Sequence, residues 1–336
     1  MKFLILIITS ILLLISCDET TDNWVDLSYT VPDELTERYD SCTFYDDTLD
    51  TLYIIGGINT NQRFNDIWQF SVSNKKFNKI VPDDNTFKKA GRAGYCVFDK
   101  ESNYLYMYGN NEGGNASPSP LLRWGIGGKQ LIELAPASSL PSLRGHSLNL
   151  ITDKSIFGEK SLIIFGGQDT GGTKNNKVSI FKLDSKELIE LETLGPKPPA
   201  RYTHSAFLYN NKLIVIGGYS TAPLNDVWSL DLKTKTWFQL GNKTICKDTF
   251  DSSAVYNQKD KKIILYGGKD SSKNPTSTFC EYDIATDTWK EIDNSKPGQI
   301  FKASTSFGED NFYLFGGNKL KDGKLKEINS FWRYDF

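Results

Sequence analysis

The sequence predicts an all-β fold, a six-bladed β-propeller whose last blade is closed by an N-terminal strand. Three observations carry that prediction. A β-rich run ending in Gly-Gly returns about every fifty residues, the spacing of a repeat that builds one four-stranded unit. The same further strand signals accompany the copies in the same order. The last unit stops one strand short, while a strand of the missing type stands ahead of the first unit.

The glycine run reads Leu52-Tyr53-Ile54-Ile55-Gly56-Gly57, Leu162-Ile163-Ile164-Phe165-Gly166-Gly167, Leu213-Ile214-Val215-Ile216-Gly217-Gly218, Ile263-Ile264-Leu265-Tyr266-Gly267-Gly268 and Phe312-Tyr313-Leu314-Phe315-Gly316-Gly317. A further copy, Leu105-Tyr106-Met107-Tyr108-Gly109-Asn110, lacks the second glycine. Ahead of the run comes a strand that opens on an arginine, as in Arg201-Tyr202-Thr203-His204-Ser205-Ala206-Phe207. After it come a loop and a strand such as Asn225-Asp226-Val227-Trp228-Ser229-Leu230, and a last strand follows with an aromatic three residues ahead of an aliphatic, as in Trp237-Phe238-Gln239-Leu240 and Trp289-Lys290-Glu291-Ile292. One such twisted sheet cannot bury both faces alone, so neighbours stack around an axis and cover each other. The glycines allow close backbone approach, and the tryptophans fill the wedges between blades.

The final unit ends with Ser330-Phe331-Trp332-Arg333-Tyr334-Asp335-Phe336, its third strand, and Trp24-Val25-Asp26-Leu27 fits the missing fourth. Pairing the two ends leaves no open edge. It also makes residues 23–336 one domain, with residues 1–16 as a signal peptide and 17–22 as a tether.

The double glycine, the Asn-Asp-x-Trp and the Trp-x-x-aliphatic, recurring in this order, resemble the kelch repeat over nearly the whole chain after residue 22. The resemblance, to propellers of the galactose oxidase/kelch type, implies a rigid scaffold that binds ligands through its loops. Composition agrees with a folded domain and narrows the partners. Of 336 residues, 39% are hydrophobic, and 39 basic against 41 acidic side chains leave a formal net charge of -2. Neither a long-range positive field nor a Lys/Arg cluster with interleaved aromatics is present, which argues against nucleic acid as a partner.

The N-terminus reads as an export signal. Lys2 precedes an almost unbroken apolar run from Phe3 to Ile15, short of the roughly 20 residues of a membrane span. The sequence Leu14-Ile15-Ser16-Cys17 resembles the bacterial lipobox, which implies lipidation at Cys17 and a membrane-anchored lipoprotein; an ordinary secretory cleavage would release a soluble protein instead. Cys42, Cys96, Cys246 and Cys280 lie too far apart for a CxxC pair or a metal-ligand spacing. Cys42 and Cys96 fall at the same point of successive repeats, in separate strands, so buried free thiols are expected.

Antiparallel pairing puts the start of each first strand, the end of each second strand and the loops that follow at one mouth of the propeller. Those loops run roughly over residues 58–65, 110–119, 168–176, 219–225, 269–277 and 318–327. Arg38, Arg92, Arg144 and Arg201 are expected at this mouth, at one position in four successive units; Asp248 and Phe301 stand near that place in the other two. In kelch domains that bind acidic peptides such arginines contact the ligand, which implies a ligand-binding arc for a carboxylate or phosphate. The alternative is structural pairing with a carboxylate such as Asp66 or Asp226. Arg63, Asp169, Tyr219 and Asp270 are further ligand-binding candidates by loop position.

An enzyme is the rival reading. The copper radical oxidase among kelch propellers needs two His and two Tyr ligands. Here the only histidines, His146 and His204, sit at first-strand positions where the repeat commonly has His, so no metal or other cofactor is expected. Sialic-acid mutarotases are the closer enzymatic alternative, because their acid-base chemistry needs only a carboxylate and an arginine. The expected function is an exported kelch-propeller binding scaffold that recognises a protein segment or glycan at the loop-rich mouth.

Overall fold

The computed structural model describes residues 23–80, 95–109, 111–112, 115–128, 130–241, 246, 250–292 and 296–336. Their architecture is all-β, with repeated four-stranded antiparallel sheets. The first sheet holds Cys42–Asp46, Thr51–Ile55, Ile67–Ser71 and Lys76–Ile80. The second holds Cys96–Asp99, Tyr104–Met107, Leu121–Gly125 and Leu131–Ala135. Ser147–Ile151, Ser161–Phe165, Val178–Lys182 and Leu188–Glu190 form the third. Ser205–Tyr209, Lys212–Tyr219, Pro223–Asp231 and Thr236–Leu240 form the fourth. The fifth holds Ser253–Asn257, Lys262–Tyr266, Phe279–Asp283 and Thr288–Glu291. In the sixth, Ser304–Phe307, Asn311–Phe315 and Phe331–Asp335 are followed at the edge by Trp24–Asp26, in the register Trp24↔Tyr334, Val25↔Arg333, Asp26↔Trp332.

Second strands are buried on both faces, which is why they read as unbroken apolar runs: Thr51–Ile55 and Ser161–Phe165 are buried at every residue. Outer strands bury one side chain in two or fewer, as in Lys76–Ile80, where Phe77 is inside and Lys76, Asn78 and Lys79 face solvent. The apolar clusters lie between sheets. Phe44, Tyr53 and Ile55 pack on Leu105, Leu122 and Trp124 of the second sheet. Ile163, Phe165 and Ile180 of the third pack on Leu213, Val215 and Trp237 of the fourth. Ile54, Trp68 and Phe70 of the first pack on Tyr313, Phe315 and Phe331 of the sixth. Trp24 lies 5.4 Å from the Tyr266 ring of the fifth sheet and 5.2 Å from Tyr334 of its own.

Backbone bonds repeat between the sheets at the double glycines. The second glycine donates its N–H to a carbonyl where the next sheet begins: Gly167 to Arg201 at 2.8 Å, Gly268 to Ile300 at 2.9 Å, and Gly317 to Arg38 at 2.8 Å. The last of these joins the sixth sheet to the first. The chain reaches this geometry through two left-handed residues, φ 65° at Gly316 and 97° at Gly317, and a Cβ on Gly316 would collide with the Arg38 carbonyl.

The cysteines correct the free-thiol expectation. Cys42 is bonded to Cys96, and Cys246 to Cys280, with Cα–Cα separations of 5.9 and 6.2 Å. Equivalent points of successive repeats are neighbours in space where first strands converge, so occupying separate strands is what allows Cys42 and Cys96 to meet. Cross-linking residues 54 apart stabilises by about 4 kcal/mol if the effect is loop entropy in the unfolded chain.

Trp24 is 5% exposed, Leu27 is 2% exposed, and Leu27 donates its N–H to the Phe331 carbonyl. Deleting residues through Leu27 should therefore cost about 3 kcal/mol or more, by loss of one buried tryptophan and an edge strand. Deleting only through residue 22 should leave the thermal midpoint unchanged. Equal midpoints for the two truncations in differential scanning calorimetry would overturn this role of the N-terminal strand.

Candidate functional site

At the mouth, each sheet contributes a short approach to its first strand. Tyr39, Arg144, Tyr202 and Phe250 are equivalent there, since each bridges the residue that follows the double glycine: Ile58, Gln168, Tyr219 and Lys269 respectively. The next residue in every case is left-handed: Asp40 (φ 54°), Gly145 (63°), Thr203 (53°), Asp251 (56°) and, in the sixth sheet, Lys302 (55°). Non-glycine residues hold this conformation only where their surroundings impose it, at a cost of about 1–3 kcal/mol each. Here the imposition is a chain of bonds between sheets, Thr203 N–H to Gly145 O at 2.7 Å, Lys302 N–H to Asp251 O at 2.9 Å and Asp40 N–H to Lys302 O at 3.4 Å.

These residues form the throat of a cavity of about 900 Å3 that continues between the first strands past Phe44, Phe98, Phe207 and Phe307. The size suits a small ligand or the end of a peptide. The throat is charged. Lys302 lies 3.6 Å from Asp40, and Lys269 lies 3.8 Å from Asp251. Burial opposes the charge on Lys302, but Asp40 and Asp251 overcome it and hold its pKa above the ordinary lysine value. Asp251 is raised above the ordinary aspartate value, by burial first and by Asp40 in addition, against the pull of Lys302 and Lys269. Burial lowers Lys269, with Asp251 only partly offsetting it.

Around the throat the cations lie over aromatic rings, an arrangement that keeps them near apolar surface without neutralising them. Arg144 is 5.2 Å from the Tyr202 ring, Lys174 is 5.7 Å from Tyr219, and Lys269 is 3.7 Å from Phe301. Tyr202, Tyr219 and Phe250 form a continuous edge-to-face series, at 5.9 and 4.9 Å.

The structure separates the four arginines expected at one position. Arg38 and Arg201 have no exposed surface, and each clamps a carboxylate with two nitrogens: Arg38 holds Asp66 at 2.6 and 3.1 Å, and Arg201 holds Asp226 at 2.6 and 2.7 Å. Each also donates to the first glycine carbonyl of its own sheet, Gly56 or Gly217, and each carboxylate accepts from a tryptophan, Trp68 or Trp228. Arg144 is a correction to the common register. It stands one residue later, equivalent to Tyr39 and Tyr202, and among the described residues it pairs with the neutral Gln168 and with no carboxylate. Half-buried, it lines the cavity. Arg92 and Cys17 lie outside the described residues.

Of the loop candidates, Tyr219 is brought into the throat. Asp169 and Asp270 fold their own loops: the Asp169 carboxylate accepts from the N–H groups of Gly171 and Thr173, and that of Asp270 from Asn274. Arg63 is exposed on the rim, where it bridges Ile58. His146 and His204 are buried against glycines, with the His146 ring on Gly109 and the His204 ring on Gly166, and burial lowers both, His146 to about 3. Sequence reading missed Asp40, Lys174, Phe250, Asp251, Lys269 and Lys302. The signal for Lys269 was its place directly after Gly267-Gly268; for Arg144 it was the single residue between it and His146, against two between Arg201 and His204.

Residues 129–317 match the KLHDC2/KLHL20/DRC7 Kelch-repeats domain, and residues 50–82 match the Kelch motif. The chain belongs to the kelch-repeat family. Among its kelch relatives, the leucine-zipper-like transcriptional regulator 1 homolog of Drosophila melanogaster is 27% identical over 236 residues, 64% of this chain and 23% of the relative. Dynein regulatory complex subunit 7 of Chlamydomonas reinhardtii is 40% identical over 112 residues, 32% of this chain and 10% of the relative. Host cell factor 2 of Homo sapiens is 26% identical over 240 residues, 58% and 28% of the two chains. The kelch chain thus spans less than a third of the length of each of these relatives.

The two classes of arginine should behave differently when truncated. Arg201→Ala leaves the Asp226 carboxylate half-sealed without its cation and should cost about 3–5 kcal/mol, whereas Arg144→Ala should change stability by less than about 1 kcal/mol. Urea unfolding followed by tryptophan fluorescence checks both, and comparable losses for the two variants would refute the distinction.

Proposed function

We propose that this kelch protein is an exported binding scaffold whose throat receives an acidic protein segment. The observation that carries the reading is the cationic and aromatic lining of the cavity: Arg144, Lys269, Lys273 and Lys302 line it with Tyr202, Tyr219 and Phe250, Lys174 lies over the Tyr219 ring, and among the described lining residues the carboxylates are Asp40 and Asp251. An arginine that leaves part of its fork unused by protein carboxylates is suited to a ligand carboxylate, and a rigid throat spends little entropy on binding it. The relative named as a subunit of a dynein regulatory complex supports a protein partner.

The reading includes a closed ring of six blades in residues 23–336. Its support is the pairing of Trp24–Asp26 with Phe331–Asp335 together with the Gly317–Arg38 bond and the apolar cluster between sixth and first sheets. Export is supported by the two disulfides, which persist in oxidising compartments, and by the apolar leader ahead of Cys17. Intact mass spectrometry of protein from its native host tests this route. A mass beginning at Cys17 with added acyl chains and four fewer hydrogens than the reduced chain is expected; a full-length mass with all thiols free would overturn export.

A labelled hexapeptide of Asp and Glu tests the throat, with sialic acid as a second, carbohydrate probe. Arg144→Ala and Lys269→Ala should each weaken the peptide about tenfold, roughly 1.4 kcal/mol, and Arg63→Ala should not. Affinity should rise as pH falls from the lysine range toward the aspartate range. Descent toward the raised Asp251 pKa removes a repelling charge, and ascent toward the lowered Lys269 pKa removes an attracting one, so both act in the same direction. A pH-independent affinity, or one unchanged by Arg144→Ala, would move the site elsewhere.

A further inference from the structure

Between Asn311–Phe315 and Phe331–Asp335 of the sixth sheet the chain builds an outgrowth beside the mouth. Asn318–Lys321 and Lys324–Glu327 form a hairpin around Asp322 and Gly323, both left-handed (φ 52° and 71°), the two-residue turn that matches strand twist. Ile300–Phe301 pairs with the inner strand of this hairpin, giving the order Ile300–Phe301, Asn318–Lys321, Lys324–Glu327. Among the described residues nothing pairs with the outer edge of Lys324–Glu327.

The two faces of the hairpin differ. Lys319 stands opposite Lys326 and Lys321 opposite Lys324, so one face carries four ammonium groups as cross-strand pairs of like charge. Such pairs are unfavourable in an isolated hairpin; Lys319 donates to the Pro297 carbonyl at 3.5 Å, and among the described residues no carboxylate is paired with any of the four. The other face carries Leu320 opposite Leu325, 43% and 53% exposed. Glu327 turns away from the lysines and accepts from Thr60 of the first sheet, which fixes the base of the hairpin.

We propose that the free edge of Lys324–Glu327 is a β-augmentation site for an extended protein segment in which acidic and apolar residues alternate. A strand added there satisfies the backbone groups of the edge, sets its acidic side chains beside Lys324 and Lys326 and its apolar ones beside Leu325, on the face that Leu320 continues. The alternatives fit less well. A second copy of the hairpin would bring lysine against lysine. A lipid surface would leave the edge N–H and C=O groups without partners as the leucines entered hydrocarbon. Edge lysines ordinarily serve to keep strands from pairing, but that role gives no account of the two exposed leucines opposite each other.

The site is separate from the throat and is tested separately, on the full chain, with a nine-residue peptide alternating Glu and Val. A peptide with the same residues in two blocks, all the Glu followed by all the Val, is the control. Fluorescence anisotropy should show at least tenfold tighter binding of the alternating peptide. The double variant Lys324→Glu/Lys326→Glu should lose that binding and gain binding of an alternating Lys and Val peptide, with an unchanged thermal midpoint because the hairpin lies outside the four-stranded sheets. Arg144→Ala should leave it unaltered. Equal binding of alternating and blocked peptides, no binding of either, or retention in the charge-reversed variant would overturn the proposal. So would binding of phosphatidylserine vesicles that the alternating peptide does not displace.

Discussion

Most of this structure depends on one backbone bond repeated between sheets, from the second glycine of a pair to a carbonyl at the entry of the next sheet. A four-stranded sheet with apolar residues on both faces is unstable alone, and stacking is productive only at a spacing that brings the apolar clusters into contact. The Gly-Gly turn sets that spacing, because the chain can approach the Arg38 or Ile300 carbonyl only where no Cβ intervenes. In the first and fourth sheets a buried arginine then extends the constraint. Its carbonyl accepts from the preceding sheet, while its guanidinium clamps the glycine carbonyl and the aspartate of its own sheet, and that aspartate holds a tryptophan. A charge as deeply buried as Arg38 is tolerable because its fork is held by the Thr36 and Gly56 carbonyls and the Asp66 carboxylate.

The throat is a consequence of the same bond. Having met the preceding sheet, the chain must turn sharply into its first strand, and it does so through a left-handed residue whose N–H or carbonyl reaches the neighbour. Five such residues share one conformation while their side chains differ: Asp40, Gly145, Thr203, Asp251 and Lys302. Conformation is thus set by the repeat and chemistry by the individual sheet. This is why charged groups as close as Lys302 and Asp40 can be held at a narrow place without the loops having to supply rigidity.

What could be read in the sequence follows from this division. The double glycines, the Asn-Asp-x-Trp and the Trp-x-x-aliphatic are answers to packing problems common to every sheet, so they recur and are visible by comparison within the chain. The strands they predict, including the four-stranded sheets and the outer position of Trp24, are observed. Arg144 was misaligned because arginine identity is a weaker guide than distance to the first strand; the Lys177 carbonyl accepts from the Gly166 N–H where the Asp66 carbonyl accepts from Gly56, so the third sheet has a lysine at the place of the carboxylate that holds the buried arginine. The disulfides were misread for a geometric reason: linear distance and separate strands say nothing against contact when repeats converge on an axis. Lys269 follows directly on Gly267-Gly268, but Asp251 could not be chosen from sequence, since its importance rests on facing that lysine across two loops.

The asymmetry of the throat has a consequence for any ligand. Arg144, Lys174 and Lys269 lie on the third to fifth sheets along one aromatic series, whereas Asp40 belongs to the first sheet and engages Lys302. The two carboxylates of the throat each stand beside a lysine, Asp40 beside Lys302 and Asp251 beside Lys269, whereas Arg144 and Lys174 stand by Tyr202 and Tyr219. A frame built for uniform packing thus carries its individual chemistry at the few positions where its repeats differ.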